Sequence, residues 1–329
     1  MSEKVSLAIP TYNRSAWLKE CIRSILDQTF QDFSLYVFDN ASSEPVQEEV
    51  KKYEDERIRF VGSERNLGST GNINRILQYP FESEYVIIFH DDDTMHPNTL
   101  EIETSFLDAQ EDLVFVVSDL SRAREGTMQR FPAFPVENTP HTIYRKKSDF
   151  IRAQMSWLRY AFNSAMYRVG ALQNARMRPE MFSDFADMIF LAEISKKGPC
   201  AFLKVPLVNY RVHASQDSGL LKQDHAKGAF ATLSFFRESL SSSLGKLDKK
   251  DEKLFRTYSF NFLLRSYTQI NNGLFGLFRF LQQARSQKLI RYQDFLYMDA
   301  RGAISLLSIV FRNKKIIDTA RWVKNLFQS

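Results

Sequence analysis

His90, Asp91, Asp92 and Asp93 follow directly on the apolar run Tyr85 to Phe89. Three consecutive carboxylates repel one another, and at the end of a buried strand that repulsion requires a positive partner. A divalent cation of the Mg2+ or Mn2+ type fits, because it takes oxygen ligands and keeps positions open for phosphate oxygens. A solvated acidic turn ahead of a helix starting near Pro97 is the plainer reading, since Asp and Pro both favour helix starts. The position of the run favours the ligand site, because ligands of α/β sheets bind outside the carboxyl ends of strands.

Such a run needs a sheet to present it. Val5 to Ile9, Ser34 to Phe38, Arg57 to Val61, Tyr85 to Phe89 and Leu113 to Ser118 read as strands rich in Val, Ile and Phe. Helical patterns over Ala16–Leu26, Pro45–Tyr53, Gly71–Leu77 and Pro97–Ala109 alternate with them, which predicts βαβ units and a mostly parallel sheet. Neither GxGxxG nor GxxxxGK(S/T) occurs, so phosphates must be held in another way. The first strand instead runs into Pro10, Thr11, Tyr12, Asn13 and Arg14, and the second into Asp39, Asn40, Ala41 and Ser42. Three strands therefore end in polar sets at one sheet edge.

Arg122 to Asn138 shows no periodicity and reads as an irregular cover for a ligand. Helical patterns follow at Lys147–Trp157 and Phe182–Lys197, an apolar stretch lies between them at Ala161–Tyr167, and short runs follow at Cys200–Lys204 and Leu207–Tyr210. Beyond Gly219 long helices carry apolar stripes, one at Phe230, Leu233, Phe236 and Leu240, another at Phe255, Tyr258 and Phe262. Residues 219–329 hold 19 Lys and Arg against 8 Asp and Glu, whereas the remainder holds 25 against 31. A basic helical tail on an acidic body suggests an anionic membrane surface, with a stripe that would serve equally as helix core or as a homo-oligomer contact. No recognised nucleic-acid motif is present, so nucleic acid is not expected as a partner. No run is long enough to span a bilayer. The first residues lead straight into a strand, and the distant Cys21 and Cys200 suit a reducing compartment. The expectation is a cytoplasmic protein, peripheral at the inner membrane face.

In this order the pieces resemble the family 2 glycosyltransferases of the GT-A fold. The likeness runs from about Val5 to Ser218 through Ile9-Pro10-Thr11-Tyr12-Asn13-Arg14, Asp39-Asn40-Ala41-Ser42, Arg65-Asn66-Leu67-Gly68 with Gly71, the Asp cluster, and Pro206 to His213. It implies a GT-A catalytic domain over 1–218, with a nucleotide-binding half to about 120 and an acceptor half beyond, followed by a basic helical region over 219–329. It also implies nucleotide binding by Pro10, Thr11, Tyr12, Arg14, Asp39, Asn66, Gly71 and Asp91. Mn2+ or Mg2+ would be held by Asp92, Asp93 and His213, and Arg211 would add charge at the diphosphate. Counted back from Pro97, the family's first metal carboxylate falls on His90 and the second on Asp92.

The resemblance further implies inverting transfer from a nucleotide-diphosphate sugar, UDP- or dTDP-linked, to a glycan or lipid-linked acceptor in surface polysaccharide synthesis. The general base would be an Asp at a helix start. Asp184 and Asp187, three apart on one predicted helix, are the candidates, and counting back from Lys196-Lys197-Gly198 favours Asp187. A metal-dependent nucleotidyltransferase and a non-catalytic sugar-nucleotide or glycan-binding module are the competing readings.

Overall fold

Described in the computed structural model are residues 3–124, 136, 138–146, 148–156, 158, 160, 162–213, 225–241, 246–270 and 273–291, with scattered positions from 294 to 309. Contacts divide the chain into two units. The first holds Met1–Phe150, Leu158–Met177 and Phe190–Asp217; the second holds Ile151–Trp157, Arg178–Ile189 and Ser218–Ser329.

The first unit is built on a mixed sheet of β1 (Val5–Thr11), β2 (Phe33–Asp39), β3 (Ile58–Val61), β4 (Tyr85–Ile88), β5 (Thr94–Met95), β6 (Phe115–Arg124), β7 (His141–Tyr144), β8 (Ala165–Arg168) and β9 (Cys200–Val212). Their order is β3-β2-β1-β4-β8-β6-β9-β5, with β7 against β9. Every residue of β2 and β4 is buried, as the continuous apolar runs of a sheet covered on both faces require. Parallel registers set Thr11 opposite Asp39 and Ala8 opposite Ile88, so β1, β2 and β4 release their polar loops at one edge. The helices α1 (Ser15–Leu26), α2 (Val46–Lys51), α3 (Ser69–Leu77) and α4 (Thr99–Asp108) connect these strands. In α1 the buried residues Leu18, Cys21, Ile22 and Ile25 recur at helical spacing and face the core.

Two runs at the sheet's far side differ from expectation. Cys200–Lys204 and Leu207–Tyr210 form one 13-residue strand, because the β6–β9 register shifts on either side of Asp119 and carries the chain through Pro206, which has no N–H to give. The stretch Ala161–Tyr167 becomes a 3-10 turn, Phe162–Ser164, and then β8, antiparallel to both β4 and β6. Of the irregular segment expected over Arg122–Asn138, Arg122 to Arg124 extend β6; residues 125–135 and 137 lie outside the described residues.

The pattern at 147–157 yields α5 (Asp149–Met155). The helix expected over Phe182–Lys197 is broken into α6 (Pro179–Phe182), a 3-10 turn at Ser183–Phe185, and α7 (Ala186–Ile194). The break lies at Ser183, whose φ of 50° no regular right-handed helix accommodates. The second unit continues with α8 (His225–Leu240), α9 (Lys249–Ile270) and α10 (Gly273–Ser286). Both apolar stripes are spent on packing these helices: Phe236 meets Tyr258 at 5.8 Å between ring centroids, and Phe230 stacks on Phe280 at 5.0 Å. No helix among the described residues is long and apolar enough to cross a membrane.

Candidate active site

The Asp cluster sits just past β4 and is buried, with Asp91 3%, Asp92 8% and Asp93 1% exposed, so Asp92 is the most open. Thr11 Oγ1 donates to Asp91 at 2.7 Å. Arg14 Nη1 reaches both Asp91, at 3.3 Å, and Asp92 Oδ2, at 3.1 Å, and His213 Nε2 meets the same Asp92 oxygen at 3.0 Å. One oxygen of Asp93 accepts the Arg211 backbone N–H at 2.6 Å, and Asn163 donates to the other. Burial, with the Asp92 charge beside it, pushes the Asp91 pKa up to about 7; the same causes raise Asp93 well above the carboxylate range. These groups are held together at electrostatic cost.

Arg211, expected at the diphosphate, is only 3% exposed and is committed to the protein: its Nε donates to the Asp92 carbonyl at 2.7 Å and its Nη2 to Glu20 at 2.5 Å. It braces β9 against the cluster and α1. Trp17 is a residue the sequence did not single out. Its ring lies 4.2 Å from that of His213, and the Arg14 and Arg211 guanidinium carbons lie 5.9 and 5.8 Å from its centroid. One aromatic on α1 therefore orients three basic residues.

The two nucleotide-side loops are laced together. Asn13, at φ 53°, accepts the Ser43 N–H at 2.8 Å, and the Ser42 hydroxyl accepts the Asn13 N–H at 2.9 Å. The Asp39 carboxylate accepts the Ser42 N–H at 3.2 Å, an Asx turn that leaves lone pairs unused. Asn40 binds Asn66 and the Gly68 carbonyl, fixing the third loop. Gly71 admits Leu67, which would stand 2.8 Å from a Cβ there. Pro10 is half-buried, and Tyr12 is 43% exposed.

In the second unit, Asp184 and Asp187 do not share one regular helix. Asp184 lies in the 3-10 turn, where Ser183 Oγ donates to it at 3.1 Å and His225 Nδ1 meets it at 2.9 Å. Asp187 opens α7, reaches solvent, and accepts the Met188 N–H at 2.6 Å. Protein packed around this open carboxylate desolvates it and pushes its pKa up to about 6, with the charge of Asp184 a smaller contribution. Asp184 is thus tied down, and Asp187 is open and suitably basic. His225 lies beyond the stretch that resembles a known family, which is why motif reading passed over it.

Gly228 lets α8 press onto this turn, since a Cβ there would come within 2.5 Å of the Phe182 carbonyl oxygen and 2.7 Å of Ser183 Cβ. Gly228→Ala is expected to cost about 1–3 kcal/mol through overpacking and to lower turnover as the turn shifts. A thermal melt run beside a rate measurement checks this; an unchanged melting temperature would contradict the tight packing.

Residues 6–174 match the sequence family described as Glycosyl transferase family 2. The chain belongs to glycosyl transferase family 2. By family it is a transferase. Among similar proteins, the GalNAc(5)-diNAcBac-PP-undecaprenol beta-1,3-glucosyltransferase of Campylobacter jejuni is 27% identical over 56% of this chain and 58% of its own length. The UDP-Glc:alpha-D-GlcNAc-diphosphoundecaprenol beta-1,3-glucosyltransferase WfgD of Escherichia coli is 30% identical over 31% of this chain and 40% of its own. The chain therefore spans about half the length of these relatives. In fold it is similar to S. aureus TarS in complex with UDP-GlcNAc, with TM-score 0.55 and 17% identity over 82% of this chain and 83% of that one. The mannosyltransferase PcManGT of Pyrobaculum calidifontis, in complex with GDP-Man and Mn2+, aligns with TM-score 0.52 and 14% identity over 95% of this chain and 89% of that one.

The family 2 site has donors that suit a divalent ion. His90, Asp92 and Asp93 each offer one ligand atom, all within 4.8 Å of one another. Two hard carboxylate oxygens, buried and next to each other so that the pKa of Asp93 is raised, are what Mg2+ or Mn2+ would relieve. His90 thus stands in the group itself, at the position where the family frame has a carboxylate.

Proposed function

We propose that the protein is an inverting glycosyltransferase that moves a sugar from a UDP- or dTDP-linked donor to a hydroxyl of a glycan or lipid-linked acceptor, with Asp187 as general base. The observation that carries this reading is the buried acidic cluster at the end of β4, built into a family 2 sheet with loops suited to a nucleotide. Asp39, with acceptor capacity left over, takes the N3–H of a uracil or thymine, and Tyr12 offers its ring to the base. His90, Asp92 and Asp93 would hold a divalent ion, with Arg14, His213 and the Arg211 brace positioning them. When bound, that ion offsets charge on the departing nucleoside diphosphate. Asp187 takes the acceptor hydroxyl proton as the hydroxyl attacks the anomeric carbon from the face opposite the leaving group.

A nucleotidyltransferase would need a basic cradle for a triphosphate at the first loop, and Arg14 is instead engaged by Asp91 and Asp92. The relatives named for undecaprenyl diphosphate-linked acceptors support a lipid-linked acceptor and a place at a membrane surface. Because the apolar stripes are buried, attraction to that surface falls to the basic residues.

A thermal-shift screen of nucleotide sugars with and without Mn2+ tests the donor. UDP- or dTDP-sugars are expected to stabilise the protein only when the metal is present, by RT ln(1 + [L]/Kd). Stabilisation by GDP-sugars alone would reject the assignment of the base.

A further inference from the structure

We propose that Asn163 is a positioning residue for the divalent ion: its amide N–H fixes the Asp93 ligand, and its amide oxygen accepts from the ion's hydration shell. The inference rests on the metal-assisted reading above and adds a residue outside the acidic cluster. Asn163 is the middle residue of the 3-10 turn Phe162–Ser164 and is fully buried. Its Nδ2 donates to one Asp93 oxygen, while the Arg211 backbone N–H donates to the other at 2.6 Å. Each carboxylate oxygen has two acceptor positions, so one hydrogen bond to each still leaves Asp93 able to ligate a metal. A ligand oriented through hydrogen bonds from outside the coordination sphere is held ready for its ion.

The turn that carries this amide is anchored on both sides of it. Before it, the buried Phe162 ring lies 5.5 Å from that of Phe190 and 6.2 Å from that of His90. After it, Ser164 Oγ donates to the Ser118 carbonyl of β6 at 2.9 Å. The chain then enters β8, antiparallel to both β4 and β6. The same sheet that releases the Asp cluster after β4 therefore sets the amide against it, on a rigid element, as a precise metal site requires.

The other end of the amide indicates a ligand. Asn163 Oδ1 is buried and has no hydrogen-bond partner among the described residues. A buried acceptor without a donor costs free energy, and such a group calls for a specific explanation. Swapping the two ends of the amide gives none in the metal-bound state, where Asp93 is a carboxylate and two oxygens would then face each other. Mg2+ and Mn2+ keep water ligands, and the O–H groups of that water are the donors the oxygen lacks. A leucine at this position would leave Asp93 short of a donor, and an aspartate would add a fourth carboxylate to the cluster. Asparagine supplies a donor to the ligand and an uncharged acceptor beside it.

The test reads metal binding rather than turnover. Mn2+ is titrated, alone and with UDP, into the full-length wild type, Asn163→Leu, Asn163→Ser and Asp92→Asn. Unbound ion is read from its EPR signal, and thermal melts are recorded in EDTA. Asn163→Leu keeps the volume but loses both polar atoms, and should bind Mn2+ about tenfold more weakly. Asn163→Ser, smaller and with a hydroxyl too short to serve both roles, should be weakened in the same direction and takes over the test if the leucine variant does not fold. A purely structural role would lower the melting temperature in EDTA and leave the Mn2+ Kd at its wild-type value, and that result overturns the proposal. Mn2+ binding that Asp92→Asn loses and the folded Asn163 variants keep counts against Asn163 alone. A wild type that binds no Mn2+ even with UDP counts against the metal-assisted reading and removes this inference with it.

Discussion

Asp187→Asn is expected to lower turnover by about 10³-fold while leaving donor affinity within about twofold, measured as nucleotide release against calorimetric donor binding. The substitution is nearly isosteric, and the amide oxygen can still accept the Met188 N–H that Asp187 accepts at 2.6 Å, so the start of α7 is preserved. What disappears is the proton acceptor. The wild-type pH profile carries the same signature. Desolvation pushes the Asp187 pKa up to about 6, so the charged, basic form is complete above that pH and is lost as pH falls through it. The rate constant kcat/KM should therefore be flat above about pH 6 and decline tenfold per unit below it. Asp184→Asn removes a negative charge that contributes to the raised pKa, so the acid limb should move to lower pH with activity retained. If Asp184→Asn abolishes transfer while Asp187→Asn does not, the two roles are reversed.

The second large effect is expected at the acidic cluster. Asp92→Asn keeps the side-chain shape that Arg14 and His213 contact at 3.1 and 3.0 Å, but removes the most open of the three carboxylate charges. Stabilisation of the protein by Mn2+ with donor should vanish, and turnover should drop by about 10²–10³-fold. Asp93→Ala is expected to act differently. Both Asp93 oxygens are taken, by the Arg211 N–H and by Asn163, so its loss should lower the melting temperature even without metal. Equal metal-dependent stabilisation in wild type and Asp92→Asn would remove Asp92 from the ligand set.

Much of this site was legible in the chain itself. Apolar runs of strand length alternating with helical patterns specify parallel βαβ units, and parallel pairing carries the residues after β1, β2 and β4 to one edge whatever their side chains do. For that reason Thr11, Arg14, Asp39 and the Asp cluster could be grouped from spacing alone. The broken helix at Ser183 could not, because a positive φ at a serine leaves no trace in local propensity, and the close approach of Gly228 of α8 to this turn is a contact between residues far apart in sequence.

The same division holds for the residues that tune the chemistry. Residue type and order determined which side chains can ligate, bind a base or accept a proton. Tertiary structure decided which were free to do so. It turned Arg211 inward onto Glu20 and the Asp92 carbonyl, set Trp17 beneath three basic groups, and tied Asp184 to His225 while leaving Asp187 open. It also buried the apolar stripes of the tail. The reason is physical: covalent spacing fixes what lies along one strand or helix, whereas desolvation, charge pairing and exposure depend on elements far apart in sequence and exist only once the chain has folded.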